Sequence, residues 1–109
     1  MTIFVKETWD LKPEKVGDFY KFLERWKKII RDRPDLFEEL KSWESYEAIT
    51  GTTFKGMNLW QYENMAEWEK HSSKFYSDPT LVKMVTELWT YLIPGTHKEE
   101  IWKPVMKLK

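Results

Sequence analysis

The fold is decided by the stretch Ile3-Phe4-Val5-Lys6-Glu7-Thr8-Trp9, because the plan that it opens occurs twice in the chain. Residues alternate along it as in a β-strand, and a long helical pattern and a second strand (Lys41 to Thr50) follow. The same order recurs with a strand from Phe54 to Tyr62, a helical stretch from Met65 and a last strand from Lys98 to Leu108. The sequence therefore predicts two consecutive βαβ units.

The first helix is predicted between two prolines. Pro13 suits a first helical turn, where its missing N–H costs nothing, and the residue before Pro34 is driven out of the helical region. The helix is therefore expected to end between Arg31 and Arg33. Its apolar residues recur at spacings of three and four and form one buried stripe: Val16, Phe19, Tyr20, Leu23, Trp26 and Ile30.

The second helical region is predicted in two parts. Asn64 followed by Glu67 has the form of a helix cap, and Asp78-Pro79 interrupts the pattern and caps a new helix. Gly51-Thr52-Thr53 is read as the turn of a hairpin, Gly56 as a bulge or a close approach, and Pro104 as a sign that the last strand lies at an edge or has a bulge. The order predicts an α+β fold of the ferredoxin-like βαββαβ type, a four-stranded antiparallel sheet with helices on one face, and one domain over residues 1–109.

Composition excludes several classes of protein. Lys plus Arg and Asp plus Glu both number 18, so no global field attracts nucleic acid. Cysteine is absent, which excludes disulfides and thiolate chemistry, and no stretch approaches a membrane span. A charge near the N-terminus argues against a signal peptide, so we expect a cytoplasmic protein. Many Lys and Glu with few Asn and Gln hint at a thermophile.

The predicted sheet carries apolar side chains on both faces. Ile3 and Val5 oppose Phe4, and Leu59 opposes Trp60. Helices cover one face only, and an exposed apolar face of this kind marks an interface. Because no spare element remains to cover it, the sequence predicts a homodimer packed sheet to sheet.

His71 is the residue best suited to proton transfer near neutral pH. Glu67 precedes it by one helical turn on the same face and is expected to orient or charge the ring. The alternative is a surface or core-edge histidine satisfied by a carboxylate, with no role in function. His97 is expected in an exposed loop or at a strand start.

Two carboxylates, Glu7 and Glu47, lie inside otherwise apolar strands. Each is either a buried base with a raised pKa or a wet strand-end residue paired with Lys. The spacing of histidines and carboxylates shows no metal-binding pattern, so no metal is expected. The chain has neither a glycine-rich phosphate loop nor a serine in a nucleophile elbow.

Aromatic residues make up 17% of the chain and are the stronger hint of a ligand. A space between sheet and helices lined by Trp and Tyr would suit a flat apolar molecule. Plain core packing explains the same residues equally well. The aromatic residues on the packed elements are Trp9, Tyr20, Trp26, Trp60, Tyr62, Trp68 and Trp89, of which Trp9, Trp60, Tyr62 and Trp68 are predicted to bind ligand.

The run Asn58-Leu59-Trp60-Gln61-Tyr62-Glu63-Asn64-Met65-Ala66-Glu67-Trp68-Glu69-Lys70-His71 resembles the third strand and following helix of the dimeric α+β barrel superfamily. The break at Ser77-Asp78-Pro79 and the closing Glu100-Ile101-Trp102-Lys103-Pro104 are similar to NIPSNAP-like chains, and the antibiotic-biosynthesis-monooxygenase-like branch has the same element order. The resemblance implies a homodimer whose sheets form a barrel, with a ligand pocket between each sheet and its helices.

Some members of this superfamily oxidise aromatic polyketides without metal or flavin, and some degrade haem. The haem-degrading set is not carried over, because the first strand has no Asn and Asp78 stands where a helix His would be. Only His71 matches a family position. The resemblance therefore implies a cofactor-independent monooxygenase-like enzyme acting on a small aromatic or apolar molecule. The alternatives are a non-catalytic homodimeric ligand-binding or structural protein and, less favoured, haem binding through His71.

Overall fold

The computed structural model describes residues 2–51 and 54–108. Its strands are β1 (Ile3–Asp10), β2 (Leu40–Glu47), β3 (Lys55–Tyr62) and β4 (Lys98–Trp102), and its helices are α1 (Val16–Asp32), α2 (Met65–Ser77) and α3 (Pro79–Trp89). Single 3₁₀ turns at Pro13–Lys15 and Pro34–Leu36 flank α1. The predicted βαββαβ order is confirmed, with the second helical region divided at Asp78 as expected.

The four strands form one antiparallel sheet in the order β2-β3-β1-β4. Val5 lies between Trp60 of β3 and Ile101 of β4, and Trp60 in turn faces Trp43 of β2. Paired residues share a face, so this register places Ile3, Val5 and Trp9 with Trp60 and Tyr62 on the side of the helices. The α+β ferredoxin-like fold predicted from the sequence is confirmed.

Both predicted helix caps are present. The side chain of Asn64 accepts a hydrogen bond from the backbone N–H of Glu67 at 2.9 Å. The carboxylate of Asp78 accepts from the N–H groups of Thr80 and Leu81 at 3.0 and 3.2 Å. These bonds satisfy donors that the first turn of a helix leaves free, and they fix the point at which α2 gives way to α3.

The core lies between the sheet and the helices and is largely aromatic. Trp26 of α1 packs edge-on against Phe37 and Trp60, with ring centroids 5.9 and 6.2 Å apart. Trp9 is 1% exposed and packs against Phe19. Large aromatic rings bury much apolar surface each, so the helices are held to one face of the sheet without a disulfide.

The close approach predicted at Gly56 is confirmed. Gly56 is the cross-strand partner of Trp9, and a Cβ built on it would lie 2.5 Å from the indole Nε1. No side chain other than hydrogen fits there. The register shift in β2 falls between Leu40 and Ser42 instead.

The end of the chain departs from the prediction. The last strand was expected to reach Leu108, but β4 ends at Trp102 and the following residues to Leu108 are exposed. Pro104 lies beyond the strand rather than inside it, because proline cannot donate to a ladder and ends the pairing. Thr52 and Thr53 of the predicted hairpin turn lie outside the described residues. Gly51 before them has φ +86°, a left-handed conformation that favours glycine.

The chain after α3 is tied back to β1. Ile93 N–H donates to the carbonyl of Asp10 at 2.8 Å, and the Thr96 hydroxyl accepts from Asp10 N–H at 3.0 Å. This anchoring sets the position of His97, which directly follows Thr96. In the described ranges, no helix is both long and apolar enough to cross a bilayer.

Candidate ligand cavity between sheet and helices

A cavity of about 300 Å³ lies between the helix-side face of the sheet and the three helices. Its floor comes from β1 and β3, chiefly Val5, Asn58, Trp60 and Tyr62, and its walls come from the helices. The alternation of β3 accounts for the floor, since residues two apart point to the same face. The exposed lining side chains Tyr76, Trp89 and Glu99 mark its opening to solvent.

Three of the four predicted ligand-binding residues line this cavity: Trp60, Tyr62 and Trp68. Trp9 does not line it. Its ring is enclosed between Gly56 and Phe19 instead, one strand end away from the cavity. Trp26, Trp43 and Trp89 line the cavity as well. Of the seven tryptophans, five line the cavity and Trp9 lies in the core beside it. Trp102 lies on the other face of the sheet.

His71 lines the cavity and is 2% exposed. Its Nδ1 lies 2.6 Å from the hydroxyl of Tyr62, and its ring packs against Phe37 and Phe75 at 5.2 and 5.9 Å. The expected pairing with Glu67 is wrong, because Tyr62 takes the ring nitrogen and Glu67 does not line the cavity. Tyr62, which lies on β3, thus reaches the His71 ring, whereas Glu67, one turn back along α2, does not.

The electrostatics of this pair keep both members neutral. Burial lowers the pKa of His71 to about 4, with Glu39 favouring the protonated ring and Lys74 opposing it. Burial also raises the pKa of Tyr62 far above its ordinary value, and Glu7 adds to the rise. Tyr62 has no other acceptor among the described residues, so its O–H donates to Nδ1 and the ring proton sits on Nε2.

Three buried polar atoms of the cavity lining have no hydrogen-bond partner in the described part of the chain. They are Nε1 of Trp43, Oδ1 of Asn58 and Nε2 of His71. A buried polar group without a partner costs about 1–3 kcal/mol, and most such groups in folded proteins are paired. The residues that line the cavity thus hold two unpartnered donors and one unpartnered acceptor.

A second polar group lies nearer the opening. Nε2 of His97 is 2.9 Å from a carboxylate oxygen of Glu7, and the other oxygen of Glu7 accepts from the indole N–H of Trp60. His97 stands directly before β4, at the predicted strand start, and it is half-buried with its ring packed against Trp89 at 4.6 Å. Of the two interior carboxylates, Glu7 is thus half-buried. Glu47 is exposed at a strand end and bonds the Tyr20 hydroxyl.

Sequence reasoning missed Asn58, Trp43 and His97 as lining residues. The alternation of β3 was available as a signal for Asn58, which stands two residues before Trp60. No local signal places His97 beside Glu7, because the two are brought together by the pairing of β1 with β4. Among the residues the structure describes, no three His, Cys, Asp or Glu side chains are grouped to hold a metal ion.

Solved structures with the same fold include proteins of the superfamily predicted above. An uncharacterised NIPSNAP-like domain protein from Burkholderia xenovorans superposes with a TM-score of 0.75 at 21% identity, covering 99% of this chain and 88% of that one. The fold is that of the NIPSNAP-like proteins. A NIPSNAP family protein from Agrobacterium tumefaciens has a TM-score of 0.75 at 12% identity, covering 96% of this chain and 94% of that one.

The same fold is found in a characterised oxygenase. A variant of SnoaB, a cofactor-independent oxygenase from Streptomyces nogalater, has a TM-score of 0.70 at 7% identity, covering 98% of this chain and 96% of that one. No protein-family model and no curated protein matches the sequence. At these identities the likeness confirms the NIPSNAP-like fold, and function has to be argued from the cavity.

The buried neutral His71 predicts a loss of stability in mild acid. The unfolded chain takes up the His71 proton as the pH falls through about 6.5, whereas the folded chain resists until about 4. The stabilising contribution is therefore complete above about 6.5 and is lost as the pH falls towards 4, by about 3 kcal/mol at the full shift. Urea unfolding between pH 7 and 4 measures it. His71→Gln is expected to flatten the slope, and equal slopes would contradict the assignment.

Proposed function

We propose that this protein is a small homodimeric enzyme that binds a hydroxyl-bearing aromatic molecule in the sheet–helix cavity and oxidises it with molecular oxygen without a cofactor. The observation that carries the proposal is the set of three unpartnered polar atoms in an aromatic cavity. Ligand sites are typically apolar cavities in which a few placed polar groups fix the orientation.

The three polar atoms define the chemistry of the ligand. The N–H groups of Trp43 and His71 require acceptor oxygens, and Oδ1 of Asn58 requires a donor. An aromatic hydroxyl supplies both, and a neighbouring carbonyl supplies a further acceptor. A cavity of about 300 Å³ lies at the lower end for ligand pockets, which favours one or two fused rings. The rings of Trp60 and Trp68 would pack against the ligand.

The balance of the reaction restricts the substrate further. If one oxygen atom becomes a ring carbonyl and the other leaves as water, a ring CH₂ supplies both hydrogens and all four electrons. No outside reductant is then needed. The fold likeness to SnoaB supports this reaction class by analogy. In this scheme His71 positions the substrate, its Nε2–H donating to a substrate oxygen, because a ring with a pKa of about 4 is a weak base at neutral pH.

The proposal is tested by oxygen uptake with a panel of hydroxylated tetralones and indanones, two-ring compounds that carry both an aromatic hydroxyl and a ring CH₂. We expect uptake that is lowered about 10- to 100-fold by His71→Ala, from the loss of one hydrogen bond to substrate. Glu69→Gln, on the exposed side of α2, is the matched control and retains full activity. Binding without any oxygen uptake would favour the alternative of a non-catalytic ligand-binding protein.

Haem binding through His71 is the less favoured alternative, and the residues do not fit it. Nε2 of His71 lies deep in the cavity, and the ring is enclosed by Phe37, Phe75 and Tyr62. An iron ligand needs open space for a porphyrin face beside it. Addition of haemin to the purified protein is expected to give no histidine-ligated visible spectrum.

The homodimer of the proposal uses the open face of the sheet. Five apolar side chains lie there: Phe4, Tyr46, Met57, Leu59 and Trp102. Tyr46 is 43% and Trp102 51% exposed, and the other three are partly exposed. Charges of both signs surround them, which lets two copies pair across a two-fold axis. A second copy fits this surface because its apolar patch is self-complementary. We expect the assembled protein in the cytoplasm.

A further inference from the structure

The strongest group that the proposed function does not use is the pair formed by Glu7 and His97 at the cavity opening. Glu7 projects from β1 on the side of the helices and is half-buried. One carboxylate oxygen accepts from Trp60 and the other meets Nε2 of His97. All three residues line the cavity. A carboxylate held from two sides fixes both the position and the tautomer of the histidine.

The hydrogen bond to Glu7 determines which nitrogen of His97 is free. A carboxylate accepts hydrogen bonds, so Nε2 carries the proton and donates it to Glu7. Nδ1 is then unprotonated, and it makes no hydrogen bond to the described residues. The edge of the ring is held against Trp89, which also lines the cavity. Glu7 and Trp89 therefore orient the ring of His97 together.

A second carboxylate adds to the local charge. Glu99 faces Glu7 directly across β1 and β4. Burial raises the pKa of Glu99, and the nearby Glu7 raises it further while His97 opposes the rise. Two carboxylates so close favour a positive charge between them, and Tyr76 is the other titratable residue lining this end of the cavity. A proton taken up on Nδ1 would leave the His97 ring hydrogen-bonded to the carboxylate of Glu7.

We propose that the Glu7–His97 pair is the general base of the cavity and removes the proton from a hydroxyl of the bound aromatic molecule. The proposal rests on the proposed function, since it needs a hydroxyl-bearing ligand. The substrate O–H bond breaks, its electron pair stays on oxygen, and the proton forms an N–H bond on Nδ1 of His97. The carboxylate of Glu7 then faces an imidazolium. His97 is the catalytic residue and Glu7 its positioning residue.

The two histidines have different roles in this proposal because their surroundings differ. His71 is deep, neutral and bonded to Tyr62, so it holds a substrate oxygen. His97 lies nearer solvent, which accepts the proton when the site resets. The phenolate formed is more electron-rich than the phenol and is the species that reacts with oxygen.

The proposal is tested with 4-nitrophenol, whose ionised form absorbs at longer wavelength than the neutral form. In the wild type we expect the bound compound to ionise at a lower pH than it does free in solution. His97→Gln is expected to bind it with a similar Kd but to lose this shift. Glu7→Gln is expected to lose part of it, because an amide NH₂ cannot accept the hydrogen bond from Nε2 of His97 as a carboxylate oxygen does. Far-ultraviolet circular dichroism checks that each variant is folded, and Glu69→Gln is the control.

The same variants separate catalysis from binding. With a substrate that gives oxygen uptake, His97→Gln should lower kcat about 100-fold or more with little change in KM, the usual contribution of a general base. If the variants ionise and turn over their ligands as the wild type does, the base is elsewhere and the proposed function stands without it. If no aromatic hydroxy compound binds the wild type, the proposed function and the base both fail.

Discussion

Gly56→Ala is expected to destabilise the protein by about 3 kcal/mol, at the upper end of the range for an overpacked core. The added Cβ would lie 2.5 to 2.9 Å from three atoms of the Trp9 indole. Trp9 is almost fully buried, so its ring has no free space to move into. In a domain of about this size the melting temperature should fall by more than about 10 °C.

Gly17→Ala is the matched control for this substitution. Gly17 lies in α1, and a Cβ there meets nothing within 4 Å. Alanine is favoured over glycine in a helix by about 0.5–1 kcal/mol, so this variant is expected to be unchanged or more stable. Thermal unfolding followed by circular dichroism measures both. A Gly56→Ala protein as stable as the wild type would mean that the β1–β3 register is not the one described.

Leu59→Lys is expected to convert the homodimer to a monomer at micromolar concentration. Leu59 lies on the open face, between Lys6 of β1 and Glu44 of β2. In the proposed sheet-to-sheet dimer a lysine there would bring a charged group into the interface beside the like charge of Lys6, and its desolvation costs several kcal/mol even with Glu44 as a neighbour. Sedimentation equilibrium gives the mass directly, and circular dichroism should show the fold retained.

Val82→Lys is the control for this second prediction. Val82 is an exposed apolar residue of α3, away from the sheet face, so the same change of chemistry should leave the mass at that of two chains. If the wild-type protein sediments as a monomer at micromolar concentration, the predicted homodimer is wrong. That result would leave the cavity, which one chain forms by itself.

The order of elements was predictable because local signals agree with the global fold. Pro13 and Pro34 bound the first helix, Asn64 and Asp78 cap the next two, and alternation marks the strands. The end of β4 was not predictable in the same way. The apolar residues after Trp102 keep the strand pattern, but the pairing with β1 stops at Phe4 and Trp102, near the start of β1 and before Pro104, and the register that sets this point depends on the sheet as a whole.

The residues that line the cavity were predictable only where they come from one continuous stretch of the chain. Trp60, Tyr62, Trp68 and His71 come from one strand and the helix after it, and all four line the cavity. Trp9 does not line the cavity because β1 runs past it, and at that end of β1 the Trp9 ring lies over Gly56 of β3. The partners of His71 and His97 depend on contacts between elements far apart in sequence. Spacing along a helix suggested Glu67, whereas the tertiary contact is with Tyr62.

The central claim is that an aromatic hydroxy compound binds between the sheet and the helices. The most direct measurement is a titration of ¹⁵N-labelled protein with 1-naphthol, observed at the seven indole N–H signals. The signals of Trp43, Trp60 and Trp68 should move, with Trp43 moving most because its free N–H gains an acceptor. The signal of the enclosed Trp9 should stay. No movement, or movement confined to Trp102 on the open face, would contradict the account.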